Sequence, residues 1–461
     1  MPLSISAELR ALARLAWPVA TAQFGMVTLG LVETAVVGSE PGHAGVLDLG
    51  GVALGRTIAF TSLTVGMGTA FSLEPLAAQA IGAGDPARAW RALETTLGAC
   101  ARVWAVCMVI ALASTFALVP FGIEQAVADR ARTFLIAQGP GSALMLVFLC
   151  AKTFLQAHGK TRPAVVAVVA ANIINVVACN LLVRGDDVLQ AMHLPRLGIP
   201  ALGALGAGIA ASIASTVLAA IAVVAATRQR AELGRPSLAL AAGAGPITTE
   251  PVPLREVLGL GLPIGFQILA EVGVFALVAV LAGKLGSDVV AAHQIALGIA
   301  SFTYMGALGI SGATAVRVGL AIGARRSARR PGVLGIAMGG AAMCVPALIF
   351  ALFPGAPIAL FTHDARVTAI AVPLIRIAAL FQLFDGAQAV AGGALRGAGD
   401  AKVPFLLNVV SYWLVGLPLA LLFGFYFGFG ARGLWWGLTA GLVTASILLS
   451  LRFRRLTREA T

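Results

Sequence analysis

The sequence predicts an all-α integral membrane protein of twelve transmembrane helices, arranged as two six-helix lobes related by a parallel pseudo-two-fold repeat. Three observations predict it. The 461 residues are 59% hydrophobic and 11% charged, against about 45–50% apolar and about 25% charged in soluble domains, and the mean hydropathy is +0.93. Twelve apolar stretches follow one another with short connections, and the second six echo the first six.

A membrane-crossing helix needs about 20 apolar residues. The stretches run roughly over 15–38, 51–80, 96–118, 133–157, 163–183, 201–226, 257–283, 289–323, 332–353, 367–395, 404–427 and 431–451, each bounded by Gly, Pro or charge clusters. The first follows scattered charges as far as Arg14 and is too long for the apolar core of a cleavable signal. The second ends before GAGDPAR (Gly82 to Arg88), the fourth before LQAHGKTRP (Leu155 to Pro163) closes, and the sixth before Arg228. The longest polar connection, about 227–256, contains Arg235-Pro236-Ser237 and Pro251-Val252-Pro253, which reads as a linker. The expected organisation is an N-terminal lobe 1–230, a cytoplasmic linker 231–254 and a C-terminal lobe 255–461.

The lobes resemble each other. Pro18 and Gly38 match Pro263 and Gly283 at one offset of 245, GAGDPAR recurs as GARRSAR (Gly323 to Arg329), and LQAHGKTRP recurs as LRGAGDAKVP (Leu395 to Pro404). Six spans per lobe make both lobes enter the membrane in the same sense, so the repeat is parallel and a central cleft between lobes is the expected site.

Net charge is +12, from 32 Lys and Arg against 20 Asp and Glu. In a soluble chain this would point to nucleic acid; here its distribution gives another reading. Seven basic residues fall in outer segments (Arg130, Arg132, Arg184, Arg196, Lys284, Arg366, Arg432) and five within spans (Arg56, Arg102, Lys152, Arg317, Arg376), leaving 20 inside if both termini are cytoplasmic. That asymmetry is an orientation signal. Richness in Arg and Ala points to a GC-rich bacterial genome, hence to a bacterial cytoplasmic membrane. The five cysteines (Cys100, Cys107, Cys150, Cys179, Cys344) lie in apolar stretches without paired spacing and read as packing residues.

A carboxylate in the membrane costs about 2.5–3.5 kcal/mol on insertion scales, which makes each one a functional candidate. Glu271 is near the middle of the seventh span, Asp385 somewhat inward in the tenth, Glu33 five residues from the outer end of the first and Glu74 near the inner end of the second. The five intraspan bases lie near span ends, where snorkelling accounts for them. The deep charge therefore reads as acidic, and carboxylates without a counter-ion suit a proton or Na⁺. Pairing with an Arg across helices is the competing reading, strongest for Glu74. Gln267, four residues before Glu271, shares its helical face, and Asn172, Asn175 and Asn180 lie in the fifth span. Each alone reads most simply as interhelical hydrogen bonding. His293 starts the eighth span, at an interfacial or capping position, with a proton relay as the other reading.

Other motifs fail. Gly159-Lys160-Thr161 lacks the phosphate-loop Gly, since Phe154 stands there, and Gly82 to Ala87 follows a membrane helix where a dinucleotide fold needs a strand. Asp186-Asp187, the only adjacent acidic pair, falls in an outer loop and reads as solvated. No cofactor or resident metal is indicated, apart from Na⁺ at Glu271 and Asp385.

The stretches GLVETAVVG (Gly30 to Gly38), LAAQAIGAGD (Leu76 to Asp85), VVAAHQIALGIASFTYMG (Val289 to Gly306), ATAVRVGLAIGA (Ala313 to Ala324), FQLFDGAQAVAGGALRGAGD (Phe381 to Asp400) and SYWLVGLPLA (Ser411 to Ala420) carry a resemblance. The chain resembles the multidrug and toxic compound extrusion (MATE) transporters, particularly their NorM-type branch, over nearly its whole length. The resemblance implies a twelve-helix, two-lobed fold and a secondary antiporter, not an enzyme. It would export organic, cationic amphipathic drugs in exchange for Na⁺ or H⁺ as a monomer among membrane lipids, with no nucleic-acid partner. Glu271 and Asp385 match the acidic pair associated with the coupling cation. Glu33 matches a first-span acidic position where Asp is usual, the extra methylene moving the carboxylate by about one bond length. The remaining alternatives are a flippase or exporter of a lipid-linked sugar, which deep bases would favour, and a membrane-embedded prenyl-lipid transferase, which would need Asp-rich Mg²⁺ motifs.

Overall fold

The computed structural model describes residues 4–40, 42–191, 193, 195–233 and 251–459. Most of the linker expected at 231–254 lies outside the described residues. Among them are 12 helices long and apolar enough to cross a membrane: α1 (Ile5–Gly38), α2 (Gly42–Gly82), α3 (Pro86–Ala117), α4 (Gln125–Ala157), α5 (Arg162–Arg184), α6 (Gly203–Glu232), α7 (Leu254–Gly283), α8 (Ser287–Gly323), α9 (Arg329–Leu352), α10 (Ala365–Gly397), α11 (Lys402–Tyr426) and α12 (Gly430–Arg458). Each overlaps one of the twelve apolar stretches, and most run beyond it at one end or both. α8, at 37 residues, is about 55 Å long at 1.5 Å per residue, well over the bilayer's hydrocarbon thickness, and it begins two residues before the apolar stretch, at Ser287 and Asp288.

Local signals set several boundaries. Asp85 accepts from the Arg88 amide at 2.7 Å, with Pro86 in the first turn of α3. Asp364 accepts from the Arg366 and Val367 amides at 2.8 and 3.0 Å and starts α10. α2 has a turn at Ser72, and α11 contains two π-helical segments, Val410–Gly416 and Leu422–Tyr426.

The described residues fall into two compact units. The N-terminal unit is Phe24–Leu73 with Asp85–Gly265; the C-terminal unit is Met1–Gln23, Glu74–Gly84 and Phe266–Thr461. Helices α1, α2 and α7 thus contribute to both. In the N-terminal unit, α7 reaches α2 at Gly265, where a Cβ would stand 2.8 Å from the Val65 Cα. Its core includes Val37, Phe134, Cys179, Val183 and Ala207. In the C-terminal unit, a Cβ on Gly309 of α8 would meet the Ala20 backbone of α1 at 2.7 Å. Small residues let membrane helices approach this closely. The C-terminal core is aromatic, with Phe381 lying 6.0 Å from Trp435 and 6.2 Å from Phe275 by ring centroids.

Two charged residues, Arg317 and Asp186, depart here from the sequence expectation. Arg317 is not snorkelling: its Nε and Nη2 donate to the Glu8 carboxylate at 2.8 and 2.7 Å. Asp186 is not simply solvated, because the Leu197, Gly198 and Ile199 amides donate to it at 3.2, 2.8 and 3.1 Å. Against a residual burial penalty, those three donors hold its carboxyl below the usual aspartate value. Cys100 and Cys150 are free thiols whose sulfurs lie 3.7 Å apart.

Candidate cation and substrate sites

In the C-terminal unit, α7, α8, α10 and α11 gather polar side chains in an otherwise apolar interior. Glu271 on α7 and Asp385 on α10 are close enough to interact electrostatically, and both act on Tyr304 of α8 and Tyr412 of α11. Asp385 is buried, with 6% of its surface exposed. Among the described residues, neither acid forms an ion pair or a hydrogen bond. Tyr412 is fully buried and its Oη has no hydrogen-bond partner among the described residues.

The surroundings hold this arrangement in place. Trp413 Nε1 donates to the Ala270 carbonyl at 3.0 Å, fastening the π-helical part of α11 to α7 beside Glu271. Gln382 Nε2 donates to the Ala300 carbonyl at 3.2 Å and to Thr303 Oγ1, joining α10 to α8. Gln388 Nε2 donates to Asn408 Oδ1 at 3.3 Å, joining α10 to α11. Gln382, Asp385 and Gln388 are spaced by three along α10, so they share one face. Gln267, one turn before Glu271, is buried with 7% of its surface exposed.

Oxygen donors of this kind, two carboxylates with phenol and amide oxygens, suit a proton or a hard cation. Among the described residues no group of three or more His, Cys, Asp or Glu assembles, so the donor set is not that of a transition-metal centre.

Glu74 takes the pairing that competes with a binding role. Arg396 Nε donates to its Oε2 at 3.0 Å, and Arg396 Nη2 donates to Ser311 Oγ at 3.1 Å. Arg396 also acts electrostatically on Glu271. The sequence assigns Arg396 to a connection and leaves the deep acids without a base; α10 runs on to Gly397 and brings this guanidinium inside.

The N-terminal unit holds a second set. Glu33 on α1 is buried, and Arg56 of α2 exerts a charge on it. Arg56 Nη1 donates to the Gly30 carbonyl at 2.5 Å and to Thr34 Oγ1 at 2.9 Å, so the guanidinium is fixed to α1 instead of snorkelling. From α5, Asn172 Nδ2 donates to the Gly25 carbonyl at 2.9 Å, and Asn175 Nδ2 to the Leu29 carbonyl at 3.1 Å. Both leave a buried Oδ1 with no partner among the described residues. Asn180 is not part of this set: it donates to Val176 of its own helix.

His293 departs from its expected interfacial position. It is buried in α8, and its Nδ1 accepts from Trp435 Nε1 at 3.1 Å, which places the ring proton on Nε2.

Sequence reasoning missed Tyr304, Tyr412, Gln382, Gln388, Asn408 and Arg396. The sequence has only 3 Tyr, and two of them face the acid pair; that scarcity, with the three-residue spacing on α10, was the available signal.

Known proteins match the whole chain. The MatE family model matches residues 18–181 and again 263–422, so the internal echo is a repeat of one unit and its starts reproduce the offset of 245. A probable multidrug resistance protein NorM of Deinococcus radiodurans is 36% identical over 463 residues, covering 99% of this chain and 97% of the relative. One from Pseudomonas putida is 34% identical over 472 residues, covering 98% and 96%. The eukaryotic MATE transporter AtDTX14 superposes with a TM-score of 0.82 at 22% identity, over 99% of this chain and 98% of its own. A Vibrio cholerae MATE transporter, VcmN in its bent form, does so with 0.81 at 17%, over 99% and 98%. These structures share the fold, and the relatives leave no place for a prenyl-lipid transferase. With one family model matched in both halves and full-length relatives at a third identity, the chain belongs to the MatE family of multi-pass membrane transporters.

Proposed function

We propose that the chain is a secondary active antiporter of the bacterial cytoplasmic membrane, exporting organic cationic amphipathic compounds in exchange for Na⁺ or H⁺ by alternating access. The observation that carries this reading is Glu271 and Asp385, two acids within membrane helices that interact electrostatically and have no ion pair among the described residues. Arg396 offsets part of the charge on Glu271, but two interacting acids in an apolar interior still repel each other when both are charged. Binding a cation relieves the repulsion, and losing it restores it, so occupancy is coupled to conformation.

In this reading Glu271 and Asp385 bind the coupling ion, with Tyr304 and Tyr412 as neutral oxygen donors. Glu33 is a second acidic position, and the open acceptors of Asn172 and Asn175 receive donors of the cationic substrate. Gln267 contributes from the Glu271 face, Glu74 acts through Arg396, and Asn180 lies at the margin. The lobes 1–230 and 255–461 are the moving bodies, acting as a monomer in the lipid with both termini cytoplasmic. Exchange of one coupling cation for one monocationic substrate moves no net charge, so the cation's concentration gradient drives it; each further coupling cation adds about 2.3 kcal/mol per 100 mV. The names of the relatives, multidrug resistance proteins, support the substrate class.

The test is efflux of a fluorescent cationic dye from vesicles under separately imposed Na⁺ and pH gradients. Wild type should respond to at least one gradient, and Glu271→Gln should respond to neither while inserting normally. Retained coupling in that variant overturns the assignment.

A further inference from the structure

We propose that Arg396 sets the strength of ion binding: as a built-in positive charge, clamped by Glu74 and Ser311, it weakens the hold of Glu271 and Asp385 on the coupling ion so that the ion can leave. The proposal rests on the antiport reading and names a residue that regulates the same site. Arg396 Nε donates to Glu74 Oε2 at 3.0 Å, and Nη2 donates to Ser311 Oγ at 3.1 Å. Ser311 gives its own proton to the Ala389 carbonyl at 2.7 Å, so its hydroxyl meets the guanidinium only as an acceptor. Gln79 Nε2 donates to the Gly397 carbonyl at 3.0 Å and holds the end of α10 beside the last turns of α2. The guanidinium reaches Ser311 only if α8 and α10 come close, and Gly393 allows it: a Cβ there would stand 2.5 Å from the Ser311 carbonyl oxygen.

The clamp is aligned with the acid pair. Arg396 is eleven positions beyond Asp385, three turns of α10, so both side chains lie along one face of that helix. Ala389, where the Ser311 bridge ends, is one turn from Asp385, and Ser311 is two turns beyond Tyr304 on α8. The guanidinium acts electrostatically on Glu271 and on Tyr304. The other titratable group that shares the field of the two acids is Tyr412 of α11. The next base on α8, Arg317, is engaged by Glu8 of α1.

A buried pair kept only for stability is replaceable by apolar side chains of similar volume at little cost. A fixed guanidinium does what such side chains cannot. It stabilises the carboxylates once they are empty, and it repels a cation bound between them. Glu74 cancels part of this field, so the two members of the pair should shift ion affinity in opposite directions.

Dye efflux from vesicles holding the full-length protein is measured against the driving ion, Na⁺ or H⁺, to give the concentration for half-maximal rate. Glu74→Gln removes the charge that opposes Arg396 and should raise that concentration by about tenfold. Glu74→Gln/Arg396→Gln removes the built-in positive charge and should lower it below wild type, by about tenfold. Arg396→Lys, which keeps the charge, should stay within about threefold of wild type. A wild type that responds to neither gradient overturns the antiport reading, and this proposal with it. A responding wild type whose ion requirement is unchanged in Glu74→Gln and in the double variant, or shifted in the same direction by both, overturns only the role of Arg396. If Glu74→Gln does not fold, the double variant decides, and a requirement at or above that of wild type overturns the proposal. If the double variant does not fold either, Glu74→Leu/Arg396→Met, an apolar pair, is held to the same criterion.

Discussion

Arg396 stands between two acids of the C-terminal unit, donating through Nε to Glu74 at 3.0 Å while its charge reaches Glu271. Only 16% of its side chain and 8% of that of Glu74 are exposed. Removing one partner of such a pair leaves a buried charge, which costs about 3–5 kcal/mol, whereas removing both is far milder. Arg396→Gln should therefore lower the thermal midpoint sharply, and Glu74→Gln/Arg396→Gln should recover most of it. Equal loss in the single and double variants would show that the pair contributes nothing of its own.

Tyr412 separates an ion-binding role from a packing role. Its ring is buried among Val274, Phe381 and Leu438 in the aromatic core, and its Oη makes no hydrogen bond. Tyr412→Phe keeps the ring and removes only the oxygen. The thermal midpoint should hardly change, because an unpartnered hydroxyl contributes no bond to lose. If Oη helps hold the coupling ion, the ion concentration for half-maximal dye efflux should rise by about tenfold, the worth of one hydrogen bond to a charged group. An unchanged requirement would remove Tyr412 from the site.

The contrast between these residues shows what the sequence could convey. Glu271 and Asp385 were legible because an acid within an apolar run has no cheap structural explanation. Tyr304 and Tyr412 are ordinary in such runs, and only the packing of α8 and α11 beside α7 and α10 gives them meaning. Arg396 was misplaced because apolarity ends before the helix does: α10 continues through Leu395, Arg396 and Gly397. The same effect hid the Glu8–Arg317 pair, whose members are 309 positions apart. Number and order of spans follow from apolar runs, but the partner of a charge across helices is set by tertiary packing.

The fifth-helix asparagines give a graded test of the N-terminal set. Asn175 is fully buried and reaches across to α1, whereas Asn180 bonds only within its own helix. Asn175→Ala should cost about 1 kcal/mol of stability for the lost bond and weaken dye binding measured by fluorescence, while leaving the ion requirement of efflux unchanged. Asn180→Ala should change none of the three. Parallel losses in dye binding and ion requirement would mean that Asn175 acts on both sites.

His158, just beyond α4, gives a pH dependence of known sign. Its Nδ1 donates to the Phe154 carbonyl at 2.9 Å, its ring lies 4.4 Å from the Phe154 ring, and its Nε2 is buried without a partner among the described residues. Burial lowers the imidazole from its ordinary value of 6.5, the Phe154 carbonyl opposes this, and Lys160 adds to it. Below that ordinary value the unfolded chain takes up a proton that the folded chain resists, so the unfolded state binds more protons and stability falls as pH is lowered. The neutral ring's contribution is therefore whole above about pH 7 and is lost as pH drops from there toward the lowered folded value. Thermal midpoints of wild type should fall between pH 7.5 and pH 5.5 by more than those of His158→Gln, which keeps a polar side chain but cannot titrate. Identical falls in the two proteins would place the acid sensitivity elsewhere.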